Sequence, residues 1–138
     1  MADGRGGDVL AARFSVTRHG SLLLCGAIVT GPRGARDLIL LVDTGSNHTV
    51  MPTEVLEAVG CSPAISRDHI RITTAGGVLI APRVRVDALT IFGQRIEGAG
   101  VIAHDLPFSG PIDGLLGMDV LTALGARIDI PAGQIEIA

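Results

Sequence analysis

Residues 38–52 read LILLVDTGSNHTVMP. Five aliphatic side chains, Leu38-Ile39-Leu40-Leu41-Val42, run without a break and stop at a carboxylate, Asp43. A short, unbroken apolar run bounded by turn residues is the pattern of a buried strand. A carboxylate at the end of such a strand is costly to desolvate unless it is hydrogen-bonded, so Asp43 needs either partners or a task. Taken alone, Asp43-Thr44-Gly45-Ser46 has an ordinary reading as an Asx turn, with Gly45 at a positive φ and Ser46 as a cap. The four residues do not decide between turn and task, and the decision passes to the rest of the chain.

Working outward, the flanks are built from the same residue types. The sequence holds 14 Ile and 12 Val against three Phe. Turn residues recur roughly every 8 to 12 positions, which is the composition and spacing of a mostly β chain. The reading places strands over Arg13–Arg18, Leu22–Thr30, Asp37–Val42, His69–Thr74, Val78–Val86, Leu89–Phe92, Gln94–Val101, Ala126–Ile130 and Gln134–Ile137. Arg83, Arg85 and Asp87 alternate with Val84 and Val86, marking one wet and one buried face. Two short helices interrupt the strands. The first spans Thr53–Val59, with Pro52 near its start and Gly60 past its end; the second spans Val120–Leu124, with Asp119 as N-cap and Gly125 as stop. Each helix follows an apolar segment and a glycine turn, Leu38–Val42 then Gly45, and Ile112–Leu116 then Gly117, which suggests a duplicated half-unit.

The whole chain has 138 residues, about one domain. Residues 1–12 are expected to form a flexible N-terminal segment and residues 13–138 the domain. An apolar fraction of 47% against 18% charged residues excludes an intrinsically disordered chain. No apolar run approaches the roughly 18 residues of a membrane helix. With a net charge of −3, 11 basic residues that are all Arg, and neither Trp nor Tyr, the chain has no basic stacking face, and a nucleic-acid partner is not expected. Cys25 and Cys61 lack CxxC spacing, and His19, His48, His69 and His104 form no ligand pair, so no metal and no cofactor is expected. The two cysteines read as free thiols, and His104-Asp105 as a solvated turn.

With these landmarks in place, LLVDTGSNHTVMP resembles the active-site segment of retropepsins, the single-domain aspartic proteases of retroviruses and their bacterial relatives. Thr49-Val50-Met51 is similar to the run that follows the family's active-site loop, and Leu115-Leu116-Gly117 to its second signature before a C-terminal helix. Between them, Thr73-Thr74-Ala75-Gly76-Gly77-Val78 stands where the family has the Gly-rich tip of a flap hairpin. The resemblance covers residues 13–138 and implies an all-β, retropepsin-like closed barrel with one or two short helices, assembled as a homodimer.

The resemblance also implies a chemistry. Each subunit of a retropepsin supplies one aspartate, and two carboxylates on the twofold axis share a proton around a water. One carboxylate removes a proton from the water as it attacks a peptide carbonyl, and the other, protonated, hydrogen-bonds the carbonyl oxygen. Both roles fall on Asp43. Thr44 is implied to bond across the dimer and Gly45 to let its amide reach the carboxylate, while Ser46 either donates to the carboxylate or satisfies a turn. Asn47, His48, Val50, Thr74, Ala75, Gly76, Gly77, Pro111, Ile112 and Leu115 are implied to contact an extended peptide substrate. Asn47 and Met118 stand where retroviral members often carry an Asp–Arg ion pair, so both charges are gone together. The rival reading is a catalytically silent peptide-binding module on the same fold. In Gln134–Ile137, Ile135 and Ile137 alternate with polar neighbours, and an apolar terminal strand with open edges needs cover. The resemblance implies that the termini of two subunits interleave to provide it. The start MADGRGGD lacks the order of a signal peptide and the Arg-only basicity suits a GC-rich bacterial genome, so the expected location is a bacterial cytoplasm, with a separate membrane anchor left open.

Overall fold

The Leu38–Val42 run forms the second half of a nine-residue strand, Gly34–Val42, in which Leu38 and Leu40 are 2% and 0% exposed while Ile39 between them faces outward. The computed structural model describes residues 11–74, 77–107 and 110–138. In chain order the strands are β1 (Ala12–Ser15), β2 (Thr17–His19), β3 (Leu22–Gly31), β4 (Gly34–Val42) and β5 (Val50–Met51). Helix α1 (Thr53–Ala58) and a 3₁₀ turn (Pro63–Ile65) follow, then β6 (His69–Thr74), β7 (Gly77–Arg85), β8 (Ala88–Ile91), β9 (Gln94–Glu97) and β10 (Gly100–Ala103). The chain continues through β11 (Gly114–Leu116), α2 (Met118–Ala123), β12 (Arg127–Asp129) and β13 (Gln134–Ile137).

One large sheet runs in the order β6-β7-β10-β5-β11-β4-β3-β8-β9, with β2 added to β3. Its inner face holds the main core, including Val29, Leu40, Met51, Leu56, Leu89, Leu116 and Ile135. The expected closed barrel is a curled half-barrel: β6 and β9 end the sheet path and do not pair with each other among the described residues. The two segments read as similar half-units lie side by side. β4 and β11 pair in parallel, Leu41 beside Leu115 and Val42 beside Leu116, so the two apolar segments and their glycine turns are brought to one end of the sheet.

Most expected strands are present, with four differences, the first being that β11 forms where only an apolar segment was expected. The single strand expected over Gln94–Val101 is two, because Gly98 adopts φ +62° and turns the chain between β9 and β10. Arg13–Arg18 is likewise broken at Val16, whose N–H donates to Gly133 O instead of continuing a ladder. β5, only two residues long, was not expected; it lies between β10 and β11. Val84 and Val86 are buried and Arg83, Arg85 and Asp87 exposed, as their alternation predicts.

The terminal strand corrects a second expectation. β13 has no open edge: it is the middle strand of a separate three-stranded sheet, with β1 on one side and β12 on the other, both antiparallel. Ile135 and Ile137 are 0% and 3% exposed within their own chain. Arg13 Nε donates to Glu136 Oε2 at 3.1 Å across the β1–β13 pair. Cys25 and Cys61 are both free thiols.

Candidate active site

Asp43 leaves the end of β4 with its backbone still paired: its N–H donates to Leu116 O at 3.0 Å, extending the parallel β4–β11 ladder by one residue. The side chain is half-buried, and Gly45 N–H donates to Asp43 Oδ1 at 2.9 Å. Gly45 does not use a positive φ, contrary to the turn reading. What it supplies is room, since a Cβ there would sit 3.2 Å from the same carboxylate oxygen. Thr44 and Gly45 are exposed. The Ser46 hydroxyl does not bond the Asp43 carboxylate: it donates to His48 O at 2.7 Å, which is the turn-satisfying alternative, while Ser46 N–H donates to Asp43 O at 3.2 Å.

Helix α2 fastens this loop from below. Its first N–H groups have no partner within the helix. Met118 N–H donates to Ser46 O at 2.8 Å and Asp119 N–H to Asn47 O at 3.2 Å, so the loop backbone receives them. Asp119 was expected as the N-cap; the cap position is Gly117, and Asp119 lies inside the first turn. Its carboxylate instead clamps Thr49, accepting the Thr49 hydroxyl on Oδ1 at 2.8 Å and the Thr49 N–H on Oδ2 at 3.0 Å. Thr49 Oγ1 in turn accepts the Gly117 N–H at 3.1 Å. Thr49 is 0% exposed, the buried polar residue of this region. Gly117 is needed for close approach: a Cβ there would meet His48 C and O at 2.4 Å. Where the Asp–Arg ion pair of the resemblance is missing, backbone bonds through Asn47 and Met118 and the Thr49–Asp119 clamp hold the same two segments together.

Above the loop stands the hairpin of β6 and β7, paired from His69–Pro82 to Thr74–Gly77. Thr74 and Gly77 close its described part, and Gly77 has φ +128°. Ala75 and Gly76, the expected flap tip, lie outside the described residues. A pocket of about 640 Å³ separates hairpin and loop. It is lined by Gly45, Ser46, Asn47, His48, Val50 and Leu115 of the expected site, and by Arg71, Ile72, Leu79, His104 and Leu106, which were not expected. Four of the apolar lining residues, Val50, Ile72, Leu106 and Leu115, belong to a second small cluster that also holds Ile70, Ala81 and Ile102. Asp43, Thr44, Gly77, Pro111 and Ile112 stand outside that lining. Of the expected solvated turn, Asp105 is exposed, its Oδ1 accepting the Thr53 N–H at 2.9 Å, whereas His104 is half-buried and borders the pocket.

Two comparisons bear on what this arrangement is. The aspartyl protease family model matches residues 29–120, two thirds of the chain, and the chain belongs to that family. A retropepsin-like aspartic protease from Rickettsia conorii has a similar structure, with a TM-score of 0.69 at 19% identity over 92% of this chain and 90% of that one. EIAV protease complexed with the inhibitor HBY-793 is similar with a TM-score of 0.58 at 20% identity, over 83% of this chain and 99% of that one. At such identities the likeness is one of fold, and the fold is retropepsin-like. No curated protein sequence matches the chain.

Proposed function

We propose that this chain is one subunit of an aspartic endopeptidase, in which two copies bring two Asp43 side chains together around a water. The observation that carries the reading is the setting of Asp43. A half-buried carboxylate, one oxygen held by the Gly45 N–H, stands at the end of a core strand beside exposed Thr44 and Gly45 and next to a pocket. The chain has one Asp-Thr-Gly, so it carries half of a dyad.

In the assembled pair, one Asp43 carries the proton the two share and the other is ionised. The ionised group takes a proton from the water, and the water oxygen bonds to the peptide carbonyl carbon. The protonated group hydrogen-bonds the carbonyl oxygen as it gains charge. Collapse of the tetrahedral intermediate breaks the C–N bond, and the leaving nitrogen takes a proton from the acid. Gly45 N–H holds one carboxylate oxygen through these steps, and the β6–β7 hairpin is the element that covers the peptide and displaces water.

The test is cleavage of an unbiased peptide library, read by mass spectrometry across a dilution series. The expected result is endoproteolysis lost in Asp43→Asn, with specific activity falling on dilution as a dimer dissociates. Peptide binding without cleavage by the intact protein would leave the silent binding module instead. Cleavage independent of concentration would overturn the shared dyad.

A further inference from the structure

The pocket beside Asp43 carries basic groups and no acidic ones. Among the described residues, its polar lining consists of Ser46, Asn47, His48, Arg71 and His104, and no carboxylate borders it. The two histidines face it for a reason visible in the register. Ile102 pairs with Val50 in the parallel β10–β5 ladder, and both belong to the small apolar cluster behind the pocket. His48 lies two residues before Val50 and His104 two residues after Ile102, so the parallel pairing puts the two at opposite ends of that cluster, where both border the pocket. Both are half-buried. Arg71 is exposed and pairs with Ile80 on the hairpin face opposite Ile72 and Leu79, so it borders the pocket at its rim.

The carboxylates near these imidazoles in the chain each accept a backbone N–H. Asp119, next to the His48 loop, holds the Thr49 N–H and hydroxyl; Asp105, next to His104, holds the Thr53 N–H; Asp43 lies outside the lining with Gly45 N–H on Oδ1. No ion pair joins Arg71 to an acidic side chain among the described residues.

Resting on the endopeptidase reading, we infer that this pocket selects peptides with an acidic side chain, Glu or Asp, at the position that enters it. His48 and His104 act as its specificity-determining residues and Arg71 as a long-range attraction at the rim. An imidazole N–H half removed from water gains more from a carboxylate than a fully solvated one does. An amide of the same shape offers no charge to meet it.

The experiment uses the intact protein and pairs of peptides that differ only by Glu against Gln, moved through each position around a cleaved bond, with an all-apolar peptide as reference. At one position the Glu peptide should have a kcat/KM about five- to tenfold above its Gln partner. His48→Gln and His104→Gln should each compress that ratio, read within each variant so that overall activity cancels. Ratios of one or below at every position, with the apolar peptide still cleaved, would overturn the inference and leave the endopeptidase reading standing. If no peptide is cleaved, that reading fails, and calorimetric binding of the same pairs to the intact protein decides the inference: tighter Glu binding upholds it and equal binding refutes it.

Discussion

Replacing Thr49 by Val separates a hydrogen-bonding role from a packing one. The two side chains have nearly the same shape, and the site is 0% exposed, so van der Waals contacts are largely kept. Lost are the hydroxyl bond to Asp119 Oδ1 at 2.8 Å and the acceptor for Gly117 N–H at 3.1 Å. The first is charge-assisted and the second leaves a buried N–H without its partner; together they are worth about 3–5 kcal/mol. Thr49→Ser keeps both bonds and removes one methyl, for about 1 kcal/mol. With neither Trp nor Tyr in the chain, unfolding is followed by far-UV circular dichroism in urea. For a slope of about 2 kcal/mol/M, the Val midpoint should fall by about 2 M and the Ser midpoint by about 0.5 M. Peptide cleavage should fall further in the Val variant than in the Ser variant, because the clamp holds the loop that carries Asp43. A Val variant as stable as the Ser variant would refute the account of the clamp.

Four further outcomes are expected. Asp43→Asn should reduce cleavage by at least about 10²–10⁴-fold while the melting curve stays near that of the parent, measured by circular dichroism and peptide assay. Gly117→Ala should fail to give a folded protein or lose most of its stability, since its Cβ would lie 2.4 Å from the His48 backbone; a melting temperature equal to the parent's would contradict that contact. Deleting Gln134–Ala138 should unfold the chain, because it removes the middle strand of a sheet and two Ile side chains worth about 2–5 kcal/mol each; a folded, soluble truncation would show otherwise. Burial pushes the Cys25 thiol from an ordinary 9.0 up to about 12, so its stabilising contribution holds below pH 9 and is lost as the pH rises toward 12. Alkylation at pH 8 should therefore label half-buried Cys61 first, with Cys25 reacting only on unfolding, as peptide mapping will report.

What could be read in advance follows from the range of each interaction. β4 and its turn were legible because an apolar run ending in Asp-Thr-Gly is a local pattern, and Gln134–Ile137 because alternation is local too. The break at Gly98 was missed since Gln94–Val101 keeps strand-like composition through it, and a single glycine seldom announces its φ. Two-residue β5 is too short to carry a period. Asp119 was misplaced because its partner, Thr49, lies 70 residues away, and the nearest local pattern was that of a cap. His104 and Arg71 reach the pocket only through the sheet order β6-β7-β10-β5, which no spacing in the chain encodes. Ser46 had two readings at the outset, and the bond to His48 O selects one.

The pairing of Ala12 with Ile137 also sets a timetable for synthesis. Strand β1 leaves the ribosome among the earliest described residues, yet its partner β13 is among the last, so the small sheet closes only after nearly every other contact is in place. Pairings so distant in the chain form late and slowly. The segment with Asp43, by contrast, is complete by the time a third of the chain has emerged. The nascent polypeptide thus carries Asp43 well before the strand that completes the small sheet around β1 has been made.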